Sequence, residues 1–352
     1  MKPQHSTLLR VRGFSLVELL VGIVVAMAAV LVVTQVFRVS EGQRRTTSGG
    51  DDAQTTGAIA LSLLQRELRQ AGQGLMSPRL LMCQLDLGGG RNIRSLAPVI
   101  INPPTDVVAE GDDNTDTIVI SYGDGWGSPE GGLIGTQPGP ATYVVPGSLS
   151  YRPGQRVVAT PQTRAAPCNL TLTSVAGDPT PSSVTVALGV AGSSNGVLYN
   201  LGRAPRFLAY AVRNNRLTVC DFTAQNCASV AAANWNEVAD SVVGLRAEYA
   251  RDTTVPRDGF VDAYDTTTPT GIVPAGCGWE RVVGVRLAIV ARSRQPDTAD
   301  VTASAPSWSG GASAPLTPPG ADWQRYRYKT FETTVPLRNA PAASEPVFSP
   351  CP

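Results

Sequence analysis

The chain has 352 residues, with 29 Lys and Arg against 28 Asp and Glu, a formal net charge of +1 and one histidine. That length accommodates a membrane segment plus one large or two ordinary domains, and a near-zero charge without a basic stripe argues against a nucleic-acid partner. The histidine is His5; if the first residues are removed no imidazole remains, which excludes His-based triads and His-ligated metals. Lys2 and Lys329 are the only lysines, so the nucleophile arrangements left are Ser–Lys or carboxylate types. The chain therefore reads as non-enzymatic and without a cofactor. Glycine (35) and proline (28) are abundant and aromatics make up 6%, which suits short strands joined by loops.

The first element is an apolar run from Phe14 to Phe37, 24 residues with one charge, Glu18, and no proline. As a helix it reaches about 36 Å at ~1.5 Å per residue, enough to span a bilayer. Lys2, Arg10 and Arg12 precede it without any acid, so the leader is expected to stay cytoplasmic and the remainder to be exported. An ordinary secretory signal has a shorter apolar region followed by a small-residue cleavage site, and neither feature is present. The sharp boundary lies instead at Gly13–Phe14, where the basic leader meets the apolar helix.

The stretch Gly13-Phe14-Ser15-Leu16-Val17-Glu18-Leu19-Leu20 resembles the class III signal of type IV prepilins. The resemblance implies that a membrane peptidase cuts after Gly13 and methylates the new amino terminus on Phe14. It also implies a use for Glu18. A carboxylate inside a bilayer costs ~2.5–3.5 kcal/mol at the helix centre and less near the interface, and it gains from a cation. After cleavage the Phe14 amine, of a neighbouring subunit or the same one, supplies that cation as helices bundle into a filament core. A plain signal anchor with an incidental glutamate leaves the Gly-Phe boundary unexplained.

Beyond Phe37 the pattern turns polar, and Gly49-Gly50 would cost a helix about 2 kcal/mol relative to alanine, which predicts a loose point there. Helical periodicity returns with Leu61, Leu64, Leu68, Ala71 and Leu75, an apolar face expected to pack on the chain's own sheet. Gly72, Gly74 and Pro78 end the helix.

Strand patterns follow at 115–124, 182–190 and 206–220, the last reading as a hairpin around Asn214–Asn215, residues that tolerate positive φ. The 239–252 stretch predicts Val243, Leu245, Ala247 and Tyr249 on one face. The 281–294 stretch predicts Val283, Val285, Leu287 and Ile289 on one face. With 327–339 these read as neighbouring strands of one antiparallel sheet. Two Gly/Pro/Ser-rich stretches, 128–141 and 302–321, read as connections, the second as a long surface loop.

The segments 239–252, 256–265, 279–293 and 333–339, with the hairpin ending at Cys220, resemble minor pilins of the PilW type; 61–75 and 114–123 have the same character. The fold class implied is α+β, a long pilin-type helix packed on a predominantly antiparallel β domain of two sheets. The domains expected are a cytoplasmic leader over 1–13, a transmembrane or filament-core helix over 14–37, its amphipathic second half over 38–76, and an exported β-rich part over 77–352. The resemblance implies a minor pilin that primes pilus assembly from the inner membrane and ends at or near the pilus tip. Its partners would be other minor pilins, the major pilin, a large tip adhesin, the prepilin peptidase and the inner-membrane assembly platform. The J-type pseudopilin of type II secretion and a signal-anchored adhesin are the alternatives.

Cys83, Cys168, Cys220, Cys227, Cys277 and Cys351 all follow the membrane segment, as expected of disulfides in an oxidising compartment. Spacing favours only Cys220–Cys227 and leaves the other four unassigned. No C-x-x-C suggests a metal centre. Asp112, Asn114 and Asp116 imitate the start of a calcium loop but lack its glycine and closing glutamate, and read as a turn. Asp258, Asp262 and Asp265 form a weak calcium candidate that also reads better as a solvated turn. The five tryptophans read mainly as core, with Trp308 in the long loop the one expected to meet a partner.

Overall fold

The computed structural model describes residues 15–125, 127–269, 275–311 and 316–339, with the backbone alone at 43–48 and 275–277. Leu16–Gln70 forms one helix, α1. It runs unbroken through Gly49 and Gly50, contrary to the expected loose point. About 1 kcal/mol per glycine does not stop a helix whose ladder is intact on both sides, because propagation needs no new nucleus. The pair instead coincides with the division of the chain into two compact units, Met1–Gly49 and Gly50–Pro352.

In the second unit α1 buries one stripe. Ala53, Ala60, Leu64, Leu68 and Ala71 are at most 1% exposed, and buried Gly57 completes the three-and-four spacing. Ala60, Leu64, Leu68 and Ala71 share a core with two antiparallel sheets, in which Leu61 packs from the margin. At Gly57 the helix meets Phe331 so closely that a β-carbon would sit 2.1 Å from its ring. The helix ends where Gly72 and Gly74 take positive φ. Remote segments then satisfy its last polar groups. Gly72 N–H donates to the Ser121 carbonyl (2.8 Å), and Asn339 Nδ2 donates to the carbonyls of Gln70 (3.3 Å) and Ala71 (3.1 Å).

The first sheet orders Asn236–Ala239, Arg216–Asp221, Arg206–Arg213, Ile118–Tyr122 and Val99–Ile101, all antiparallel. Its hairpin turns at Asn214 (φ 51°) and Asn215 (φ 60°), as their tolerance of the left-handed region predicts. Ile118, Ile120, Leu208, Tyr210 and Val212 face the helix, whereas Val119, Phe207, Ala209 and Ala211 belong to a second core on the opposite side. Both faces are covered, which is why the strands read as continuous apolar runs.

The second sheet orders Ala263–Asp265, Val242–Arg251, Val282–Arg292 and Tyr328–Pro336. Leu245, Ala247, Tyr249, Val285, Leu287 and Ile289 share the helix-side core, as alternation predicts. Val243 and Val283 do not. Register shifts between Val242 and Gly244 and between Ala250 and Arg251 interrupt the ladder. The extra residue flips the alternation, so Val242 and Val282 take the core positions and Val243 joins the outer face. That outer face, with Ala288 and Val290, is covered by Trp308 and Leu316. Trp308 is 8% exposed and so packs on its own domain, not on a surface awaiting a partner.

Buried polar contacts fix the two sheets together. Asp116, just before the Ile118–Tyr122 strand, pairs with Arg246 at 3.1 Å, with side-chain exposures of 7% and 12%. It also accepts from Ala247 N–H (2.9 Å) and Asn102 Nδ2 (3.0 Å). Tyr249 Oη donates to the Val99 carbonyl (3.2 Å) and accepts from Ile101 N–H (3.0 Å).

Two further sheets, where two in all were expected, come from the stretch between Cys83 and Gly202. One orders Arg91–Ile93, Gln84–Gly88, Asn169–Ser174, Arg156–Thr160, Val197–Gly202 and Gly132–Leu133; the other orders Ser183–Thr185, Thr142–Val144 and Thr136–Gly139. The Gly/Pro-rich stretch at 128–141 is thus partly strand, since Gly132–Leu133 pairs by backbone alone with Val197–Leu198. Gln84–Gly88 and Asn169–Ser174 run parallel. Cys83 and Cys168, the residues just before those strands, are joined by a disulfide, and a second joins Cys220 to Cys227. Cys351 lies outside the described residues, and only the backbone of Cys277 is described.

Two stability predictions follow from these contacts. Gly57→Ala is expected to destabilise the protein by about 1–3 kcal/mol through overpacking, with Phe331→Leu relieving much of the loss in the double variant; urea unfolding of the set measures it. Removing the bridge across 85 residues should cost ~4.5 kcal/mol and the one across 7 residues ~2.4 kcal/mol on the chain-entropy model, a ranking that denaturation of the two Cys→Ser pairs tests.

Candidate functional site

The described part of the first unit is helix alone. Over Leu16–Gly42 its most apolar window has a mean hydropathy of 2.9, and the 27 residues extend about 40 Å at ~1.5 Å each, so it is long and apolar enough to cross a membrane. Large apolar side chains are exposed all round it, from Leu16 at 75% to Ile23 at 45%. A helix apolar on every side has no face that prefers water, and it is stable only in lipid or among other apolar helices.

Glu18 is the acid in its first turn. It is exposed, and the positive end of the helix dipole lies beside it. Gly13 and Phe14, the expected processing pair, lie outside the described residues. Thr34 Oγ1 donates back to the Leu31 carbonyl at 2.8 Å, so the one hydroxyl deep in this run is satisfied within the helix.

The carboxylates of the acidic loops are engaged within the protein. Asp258 Oδ1 accepts from Phe260 N–H (2.9 Å). Asp262 Oδ2 accepts from the Thr253 (2.7 Å) and Thr254 (3.1 Å) N–H groups, which, with the threonine hydroxyls, hold its carboxyl below the usual range. Asp265 forms a two-pronged pair with Arg251 (2.5 and 2.9 Å). Each carboxylate closes its own turn or strand pairing, and among the described residues no three His, Cys, Asp or Glu side chains form a metal-holding group. Asp112 and Asp116 are structural as well. Asp112 accepts from Asn214 and Asn215 N–H at 2.8 Å each, bracing the hairpin turn from outside.

Several phenols are buried beside the ion pairs. Burial pushes Tyr151 and Tyr249 up to about 12 from 10.0. It also raises Tyr122 and Tyr210, with Glu67 adding to the shift in both. Tyr122 Oη donates to Glu67 at 2.5 Å, joining α1 to the first sheet. These hydroxyls stay protonated at neutral pH, and those of Tyr122, Tyr151 and Tyr249 act as donors that fix packing.

The chain thus places an apolar helical segment ahead of a helical stretch that packs on antiparallel sheets. Residues 209–339 match the family model described as type IV pilus-assembly protein W, so the segment holding the hairpin and the second sheet is similar to that family, as the sequence resemblance implied. A type IV-like pilin from Thermus thermophilus is similar over 80% of this chain and 95% of its own, at 14% identity and a TM-score of 0.34. No curated protein matches the chain.

Sequence reading found Glu18 and the buried stripe of α1 but missed Gly57, Asn339 and the Asp116–Arg246 pair. Asn339 closes the 333–339 segment that carries part of the family resemblance, but the helix end it reaches is fixed only by the fold.

Two outcomes are expected. Calcium titration should give no saturable heat. The raised phenol values mean that their contribution to stability is complete below about pH 10 and is lost as pH rises through about 12. Tyrosinate absorbance should therefore develop together with loss of near-ultraviolet circular dichroism; ionisation of all nine tyrosines before unfolding would refute it.

Proposed function

We propose that the chain is a minor pilin that helps start type IV pilus assembly, inserted in the inner membrane with its β domain outside and later placed at or near the pilus tip. The observation that carries this reading is the single acid, Glu18, near the start of a helix apolar on all sides. In that setting the acid gains from a cation, and the amine created on Phe14 by cleavage after Gly13 is the nearest one the processed chain would offer. Ion pairing of Glu18 with Phe14 then sets the register of each incoming helix, while the apolar side chains supply non-directional packing.

The match of 209–339 to a pilus-assembly family supports a pilus over a secretion machine. The size of the second unit favours a rare or terminal position, because a subunit packed laterally throughout a filament must accommodate its neighbours' bulk. The partners in this reading are other minor pilins, the major pilin, a tip adhesin, the prepilin peptidase and the inner-membrane platform. The role is structural: the peptidase supplies the only chemistry, at Gly13 and Phe14.

Intact-mass measurement of membrane-extracted protein, with and without the peptidase, tests processing; a chain retaining Met1 to Gly13 in both would sink the proposal. Glu18→Ala is expected to insert normally but to reduce filament number at least about tenfold, the scale of one lost ion pair, by electron microscopy of surface pili. Normal piliation in that variant would make the acid incidental.

A further inference from the structure

We infer that the junction of the six-stranded and five-stranded sheets holds a binding cleft for an acidic protein segment, one presenting two or more Asp or Glu side chains. A cleft of about 240 Å³ opens there, lined by four arginines, Arg91, Arg156, Arg203 and Arg206, and one acid, Asp221. Strand register gathers these residues from distant parts of the chain. Arg156 pairs with Gly202, the turn after Gly202 carries Arg203, Arg206 opens the next strand, and Asp221 closes that strand's hairpin partner opposite Leu208.

The cleft has an excess of three positive charges in a chain whose net charge is only +1. Asp221 does little to offset it. Its Oδ1 accepts from the N–H (2.8 Å) and Oγ1 (2.7 Å) of Thr223, and its Oδ2 lies 3.8 Å from Arg206. Among the described residues no carboxylate lies within 4.0 Å of Arg91, Arg156 or Arg203. The Nε of Arg91 is buried without a hydrogen-bond partner. Gathered guanidinium groups repel one another, so folding alone gives no reason to collect them. A partner's carboxylates do, because the guanidinium fork matches a carboxylate with two parallel hydrogen bonds.

The rest of the lining selects among polyanions. Among the described residues no aromatic ring lines the cleft, whereas single-stranded nucleic acid is held by base stacking as well as by charge. Leu87, Leu172 and Pro205 lie among the arginines instead and offer apolar contact to the methylene stems of acidic side chains. The inference does not depend on whether the apolar helix enters a filament.

The test is fluorescence anisotropy of labelled hexaglutamate with the full-length protein in detergent, at low and high ionic strength. Saturable binding is expected, weakened by salt and weakened about tenfold in Arg156→Gln/Arg203→Gln, the combined effect of two exposed charge contacts. The variant Arg338→Gln, at an exposed arginine outside the cleft lining, should bind as the parent does, and circular dichroism establishes that all three are folded. Absent binding, or equal binding by the double variant, would overturn the inference. So would displacement of the peptide by inorganic pyrophosphate or a heparin oligosaccharide at lower concentration than unlabelled hexaglutamate, which would make the cleft a phosphate or glycan site.

Discussion

The five-stranded sheet has no solvated face, and much of the second unit's architecture follows from that constraint. One face is closed by α1 and the four-stranded sheet, the other by the six-stranded sheet. A sheet buried on both sides must dispose of every polar group at its ends, and the chain does so by borrowing partners from elsewhere. Ser121 takes the N–H of Gly72 at the helix end, Tyr122 reaches Glu67 of α1, and Tyr249 serves the backbone of the Val99–Ile101 edge strand. Each bond joins two layers, so satisfying the buried polar groups also fixes how the layers are stacked.

The Asp116–Arg246 pair follows the same logic with charges. Removing two ions from water is expensive, and attraction between them offsets the cost only when further hydrogen bonds complete the shell. Asp116 has those bonds from Ala247 N–H and Asn102. Sliding either sheet by one residue would break the pair and leave a buried charge alone, so the pair ties the register of one sheet to the other. On the outer face Arg286 does comparable work: it pairs with Glu248, its cross-strand partner, and stacks at 3.7 Å over Tyr264. Trp308 closes over it at 5.2 Å.

The two units solve opposite solvation problems with one helix. From Leu16 to Phe37 the helix exposes apolar side chains in every direction, which calls for lipid or other helices; beyond Gly50 the same helix buries one stripe of small and branched residues and leaves the rest wet. The change of pattern was visible in the chain. The continuity across Gly49-Gly50 was not, since local cost favours a break and only the ladder on either side decides against it. The bulges at Val242–Gly244 and Ala250–Arg251 were hidden for a related reason: alternation is a period-two signal, and one inserted residue reverses it without changing composition.

By itself the sequence determined the local and periodic features. They are the apolar run with Glu18, the buried stripe at Leu64, Leu68 and Ala71, the Asn214–Asn215 hairpin, and the set of strands ending at Pro336. These are legible because burial along one element repeats at that element's own period, and because positive φ restricts residue choice at a turn. Only the tertiary structure decided what depends on distant segments meeting. It paired Cys83 with Cys168 across a parallel contact, brought Phe331 against Gly57 and Asn339 to the end of α1, and drew Trp308 onto its own sheet. It also gathered Arg91, Arg156, Arg203 and Arg206 around one cleft in a chain whose composition shows no basic region. The chain is nearly neutral because Lys and Arg almost equal Asp and Glu in number; charge in space depends on register, which no local pattern carries.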